Sequence, residues 1–166
     1  MSDLRTRLAR EVLPLVREPA QYTGGEINMV EKNHEGRTSF ALVFPDTYTI
    51  GMSHLGLRIL YEALNRHDDI VCERAFSPEE DMEKQLRDKG IPLYTLESFR
   101  SLSEFDIIGF SLQYELCYTN VLTVLDLAGL PLRAKDRPQD APLILGGGPC
   151  CANPEALADF FDAFLL

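Results

Sequence analysis

Three segments carry the residues of this sequence that could do chemistry: 46–56 (DTYTIGMSHLG), 111–115 (SLQYE) and 146–151 (GGGPCC). Gly51 and Gly56 have the spacing of a phosphate-cradling loop. Leu57-Arg58 follows where Lys-Ser/Thr should stand, so the lysine and the magnesium-binding hydroxyl are missing. No Gly-x-Gly-x-x-Gly follows an apolar run, which removes the dinucleotide fingerprint. A receiver-type phosphoacceptor would need an aspartate where Ser111 sits. His54, Cys150 and Cys151 are metal-ligating types, but their spacing matches no zinc or iron–sulfur pattern. A histidine in a glycine loop is more often a hydrogen-bonding loop residue. No metal site is therefore expected, and no acid–base or nucleophile set assembles, so no catalytic residue is assigned.

What these segments can form is a cleft. The glycines expose backbone amides, and Tyr48, Met52, Gln113 and Tyr114 add broad, mildly polar surface. That suits a large flat cofactor or a nucleotide-like tail held by backbone hydrogen bonds and shape. The same glycines would serve equally as plain tight turns.

The elements that must position these segments are legible from periodicity. Residues 40–44 form an apolar run with no polar face, as in a strand covered by helices on both sides. Pro45 stops its ladder, and Leu57, Leu60, Tyr61 and Leu64 then mark a helix at i, i+3, i+4, i+7. Residues 70–76 read as a second strand. Ser77-Pro78-Glu79-Glu80 reads as a capped start to a helix that stops at Gly90. Residues 91–96 could add a short strand and 98–105 a short helix. Residues 106–111 are the third buried strand, followed by a helix over 115–128 with Cys117, Val121, Val124, Leu125 and Ala128 inward. Residues 143–145 form a fourth strand, Asn153-Pro154-Glu155 opens a fourth helix, and 163–166 begin a fifth strand. Before all this, Leu4, Leu8 and Val12 predict a helix over 3–16, kinked near Pro14, with a strand at 26–32.

This alternation predicts an α/β three-layer sandwich with a mainly parallel, five-stranded sheet and right-handed crossovers. The strand order is not in the sequence; a flavodoxin-like 2-1-3-4-5 is taken as the working order. Residues 1–37 would be an amino-terminal arm and 38–166 the main Rossmann-like domain. An apolar fifth strand left uncovered would mark this as the front piece of a longer polypeptide.

At 166 residues and 45% hydrophobic content, the chain can bury one ordinary core. Twenty-six acids against sixteen bases give a net charge of −10, which repels a nucleic-acid backbone on average. No apolar run approaches the roughly 20 residues of a bilayer span, and no secretory signal is present. The four cysteines form no Cys-x-x-Cys pair, which fits reduced thiols in the cytoplasm.

The phrases PDTYTIGMSHLGLRILYEALN, DIIGFSLQYELCYTNVLTVLDLAGLPL and LGGGPCCANPEALADFFDAF share one likeness. They resemble the amino-terminal, cobalamin-binding-type domain of an uncharacterised group of radical S-adenosylmethionine (SAM) proteins, often labelled Fe-S oxidoreductases. The arm phrase LPLVREPAQYTGGE joins the resemblance, which covers residues 13–166. It implies that this domain precedes a radical SAM barrel in the same polypeptide. There a Cys-x-x-x-Cys-x-x-Cys motif would hold a [4Fe–4S] cluster and cleave S-adenosylmethionine. No such motif occurs in these residues.

For the present chain the resemblance implies cobalamin as the cofactor. Asp46, Tyr48, Gly51, Met52, Ser53, His54 and Gly56 would face the corrin. Ser111, Leu112, Gln113 and Tyr114, with Gly146, Gly147, Gly148 and Pro149, would contact its tail. The Asp-x-His-x-x-Gly pattern of domains that ligate cobalt through histidine is not met here, because Asp46 lies eight residues before His54. The segment would be inert alone, serving chemistry on the downstream barrel. The alternative is a domain that keeps the fold without cobalamin and acts as a docking or substrate-recognition platform.

Overall fold

A computed structural model describes residues 3–166. Five parallel strands form one sheet in the order β2-β1-β3-β4-β5. They are β1 (Thr38–Phe44), β2 (Ile70–Phe76), β3 (Ile107–Ser111), β4 (Leu143–Gly147) and β5 (Ala163–Leu165). The helices are α1 (Asp3–Arg7), α2 (Tyr48–Ser53), α3 (Leu55–Asn65), α4 (Glu80–Lys89) and α5 (Tyr118–Leu127). The layers and the parallel sheet are those the strand–helix alternation predicts, and the strand order is flavodoxin-like.

The side-chain period of two explains why β1 has no polar face. Ala41 and Val43 point to one side, where they meet α4 and α5 through Met82, Leu86, Val121 and Leu125. Leu42 and Phe44 point to the other, where they meet Leu57 and Tyr61 of α3. The arm is not peripheral: Leu8 and Val12 are fully buried in the α4–α5 layer.

Several local expectations change in the folded chain. The arm helix ends at Arg7 and widens to a π turn over Leu8–Val12, where Leu13 donates to Leu8. Pro14 just beyond cannot donate a ladder bond. Residues 26–32 make no strand; their polar groups go instead to side chains and backbone of α3 and β2. Ser77 does not cap α4. Its amide extends β2 by donating to Asp46 O at 3.0 Å, and the cap position falls on Glu79. Gly90 ends α4 at φ +59, as expected of a left-handed terminator. Residues 91–96 contribute one bridge, Tyr94 to Ser101, and 98–105 only a 3-10 turn at Leu102–Glu104. The expected fourth helix is likewise two 3-10 turns, at Pro149–Ala152 and Ala158–Phe160.

The β2 edge of the sheet is sealed by side chains that imitate a neighbouring strand. Asn65 accepts from Cys72 N at 3.1 Å and donates to Cys72 O at 2.9 Å. Two residues on, Arg74 N donates to Glu97 at 2.7 Å, and Arg74 O accepts from Leu96 N at 2.9 Å. The outward backbone groups of an edge strand are thereby removed from further pairing. Replacing Asn65 by alanine leaves both Cys72 groups unpaired beneath α3. Asn65→Ala is expected to lower the unfolding free energy by about 1–3 kcal/mol in urea titrations.

Candidate functional site

The strand order reverses direction between β1 and β3, and the elements that follow these strands lie on opposite sides. α3 covers one face of the sheet and α5 the other. Such a switch point opens a crevice at the carboxyl ends of the strands, where open α/β sheets bind ligands. Here the crevice is bridged by Asp46, the second residue after β1. Its Oδ1 accepts from Thr47 N at 2.7 Å, and its Oδ2 accepts from the Tyr114 hydroxyl of the loop after β3. A second link crosses the same gap: Asn120 Nδ2 donates to Pro45 O at 3.0 Å. The hydrogen bond to Asp46, with burial and the nearby negative charge, pushes the Tyr114 hydroxyl up to about 12.

The loops after β3 and β4 are zipped together. Leu112 N donates to Gly147 O at 2.7 Å, and Leu112 O accepts from Cys150 N at 3.3 Å. Gly148 sits at φ +110, and a Cβ there would stand 2.6 Å from Leu112 O, so only glycine fits this turn. Gln113 Nε2 donates to Ser111 Oγ at 2.9 Å. Buried Gly146 packs on Phe164 and Leu112, and Pro149 opens the following 3-10 turn.

The sequence-derived set divides in two. Asp46, Tyr114, Ser111, Leu112, Gln113 and the 146–149 turn gather at the ends of β1, β3 and β4. Tyr48, Gly51 and Met52 turn instead toward β2 and the arm. Tyr48 stacks edge-on against Phe76 at 5.5 Å and donates to Glu26 at 3.2 Å. Gly51 has no Cβ because the Phe76 ring occupies that space. Met52 Sδ lies 3.6 Å from Arg74 Nη1, and Ser53 bonds back to Ile50 O at 2.8 Å. His54 caps α3: its Nδ1 accepts from Leu57 N at 3.2 Å, and Gly56 leaves room for the ring. With Nδ1 so engaged, a neutral His54 carries its proton on Nε2 and offers no free lone pair to a metal. Among the described residues no group of three or more His, Cys, Asp and Glu could hold a metal ion.

The cysteines are buried and unpaired, and burial pushes the Cys72, Cys117 and Cys151 thiols up, away from thiolate chemistry. Cys117 donates to Tyr114 O at 2.9 Å, anchoring the bridging tyrosine from below.

Two groups escaped sequence reasoning. Asn120, on the first turn of α5, has no sequence signature. Arg74 has one: a charged pair, Glu73-Arg74, inside an otherwise apolar strand. Arg74 is 1% exposed. Its Nε donates to Glu97 at 2.7 Å, Nη1 donates to Asn28 at 3.2 Å, and the guanidinium lies 4.1 Å from the Tyr61 ring centroid. Nη2 and a Glu26 oxygen stand 3.6 Å apart. Burial lowers the Arg74 pKa, but Glu97 more than offsets it. Burial in turn pushes Glu97 up to about 7, against the pull of Arg74. Through Met52 and Glu26, this cluster holds the α2 side of the candidate site.

These features define a doubly wound α/β domain with a bridged crevice at its switch point. The sequence pattern of the family described as "Radical SAM proteins, N-terminal" matches residues 56–166. The chain belongs to that family and is a radical SAM protein module. It is also similar to the uncharacterized protein MJ0966 of Methanocaldococcus jannaschii, with 26% identity over 129 residues. That alignment covers 76% of this chain but 23% of the relative, so the chain spans only a minor part of the relative's length.

Two measurements check this geometry. Tyr114→Phe removes one hydrogen bond across the crevice and is expected to cost about 0.5–1.5 kcal/mol in urea unfolding. In Asp46→Asn the Tyr114 hydroxyl loses its charged acceptor, and its spectrophotometric titration should move down toward the ordinary tyrosine value. Glu97 gives a pH dependence. Its folded-state pKa lies above the unfolded value, so its contribution to stability is full below about pH 4 and is lost as pH rises through about 7. Thermal midpoints of Glu97→Gln should therefore fall less between pH 5 and pH 8 than those of the unaltered chain.

Proposed function

We propose that this chain is the cofactor-holding front module of a radical SAM iron–sulfur enzyme, with cobalamin as the cofactor. Residues 1–37 form the arm and 38–166 the cobalamin-type domain. The observation that carries the reading is the switch-point crevice between β1 and β3, in a chain of this family. A glycine turn that no side chain could replace closes one side of it, at Gly148. A [4Fe–4S] cluster and S-adenosylmethionine would belong to a radical SAM barrel further along the same polypeptide.

The residues fit part of cobalamin. Ser111, Gln113 and the backbone amides of the glycine turn 146–148 would suit the polar tail, which would take hydrogen bonds from a rigid floor. Asp46 and Tyr114 stand where they would orient the ligand at the mouth. No imidazole is offered to cobalt, because His54 is committed to its helix cap. Cobalamin, when bound, would supply methyl-transfer or radical chemistry to a substrate on the barrel.

The net charge of −10 argues against nucleic acid at this domain. No helix among the described residues is long and apolar enough to cross a membrane. The four unpaired thiols fit a reducing, cytoplasmic setting.

One observation favours the platform reading instead. The Tyr114–Asp46 and Asn120–Pro45 bonds already span the crevice, as in a domain that holds no cofactor there. Full-length protein incubated with hydroxocobalamin, desalted and scanned in the visible separates the two. Retained corrin absorbance near one equivalent is the expected result. A colourless protein with an intact cluster would leave the platform reading in place.

A further inference from the structure

The two faces of the sheet are not equally covered. The α4–α5 side is filled from β2 to β4, and Leu157 and Phe161 extend that layer toward β5. On the other side α3 packs on β1 and β2. Strand register identifies what lies on that side beyond β1. Leu42 pairs through Gly109 and Leu145 to Ala163, and Ser111 pairs through Gly147 to Leu165. Leu143 belongs to the same face, two residues before Leu145. Leu143 is 45% exposed and Leu165 62% exposed, and Ala163 is exposed beside them. Nothing lies within 4 Å of where a Gly147 side chain would begin.

Beyond the Phe40 ring, which covers Gly109, a shallow apolar trough thus runs to β5, with Leu143, Leu145 and Gly147 of the middle strand in its floor beside Ala163 and Leu165. Two strand spacings give a width of about 10 Å, the diameter of one α-helix. A parallel sheet is stable with both faces covered, and solvent-facing leucines on it lack the burial the other face enjoys.

We infer that this trough seats an amphipathic helix supplied by the polypeptide that follows Leu166 in the full-length protein. The inference rests on the reading of the chain as the front module of a longer radical SAM protein. The relative matched over 76% of this chain extends far beyond the alignment, which takes up 23% of it. β5 runs along the trough itself, so the chain leaving its carboxyl end needs only to turn back. A second copy of this chain is a poor occupant, since two bodies of net charge −10 repel each other.

The test is thiol labelling of the full-length protein, read peptide by peptide in a mass spectrometer. Leu165→Cys and Leu143→Cys place a thiol in the trough, and Leu55→Cys places one on the open face of α3, where Leu55 is 66% exposed. The trough thiols are expected to react at least about 100-fold more slowly than the α3 thiol, at high and low protein concentration alike. Equal rates at all three positions would overturn the proposal. So would protection that disappears on dilution together with a halving of mass, which assigns the trough to a second copy. Iron and sulfide measured on the same preparation keep the two readings apart. Shielded trough thiols in a protein unable to bind a cluster would support the helix and remove only the parent-enzyme reading.

Discussion

A guanidinium buried in the middle of an edge strand is the constraint on which most of this structure depends. Arg74 is withdrawn from water, and removing one partner of such a buried pair typically costs 3–5 kcal/mol. Every element near it is therefore committed to neutralising it. Glu97 turns its loop back onto β2, Glu26 and Asn28 draw the arm across, and Tyr61 of α3 lends its ring face. A second buried acid beside it, Glu73, collects His34 at 2.7 Å, Thr95 at 2.5 Å and Ser98 at 2.6 Å, tying the arm and the same loop once more. Surface pairs such as Arg66–Glu62 and Arg100–Glu104 are solvated and contribute little by comparison.

The Arg74 cluster and the crevice meet in the segment after β1. Its first residues, Pro45 and Asp46, reach across to Asn120 and Tyr114. Its next turn, α2, leans the other way, onto Phe76 and toward Arg74. One short stretch is thus fixed from both sides, so the crevice has a rigid lip rather than a mobile loop. Rigid placement is what backbone-mediated recognition of a large ligand requires, because amides cannot reorient to compensate for a poor fit.

The two ends of the sheet show contrasting treatment of the same physical problem. At β2 the outward amides and carbonyls are answered by Asn65, Glu97 and Leu96. At β4 and β5 the apolar side chains of one face meet solvent. Backbone groups need partners of defined direction, and β2 has them within the domain. Apolar area needs only cover, which another part of a longer chain can provide.

Periodicity and turn chemistry carried the strands, α3, α4 and α5, since each rests on local signals: alternating or continuous apolar runs, Pro45 as a ladder stop, Gly90 as a helix terminator. The sheet order rests on no local signal and belongs to the tertiary structure. The irregular stretches depart from their local signals for a common reason. Residues 26–32 and 91–96 have strand-like composition, but their backbone and side-chain polar groups found partners on β2, α3 and α5 that lie more than twenty residues away. Ser77 has the chemistry of a helix cap, yet its amide was claimed by Asp46 across the end of the sheet. At the candidate site, the sequence determined which residues stand at the carboxyl ends of the strands, because strand boundaries are local. Only the tertiary structure decided which way they point: Asp46 and Tyr114 toward one another across the crevice, Tyr48 and Met52 away to the buried Arg74. Direction is set by the nearest unsatisfied charge or open volume, and neither exists until the strands have paired.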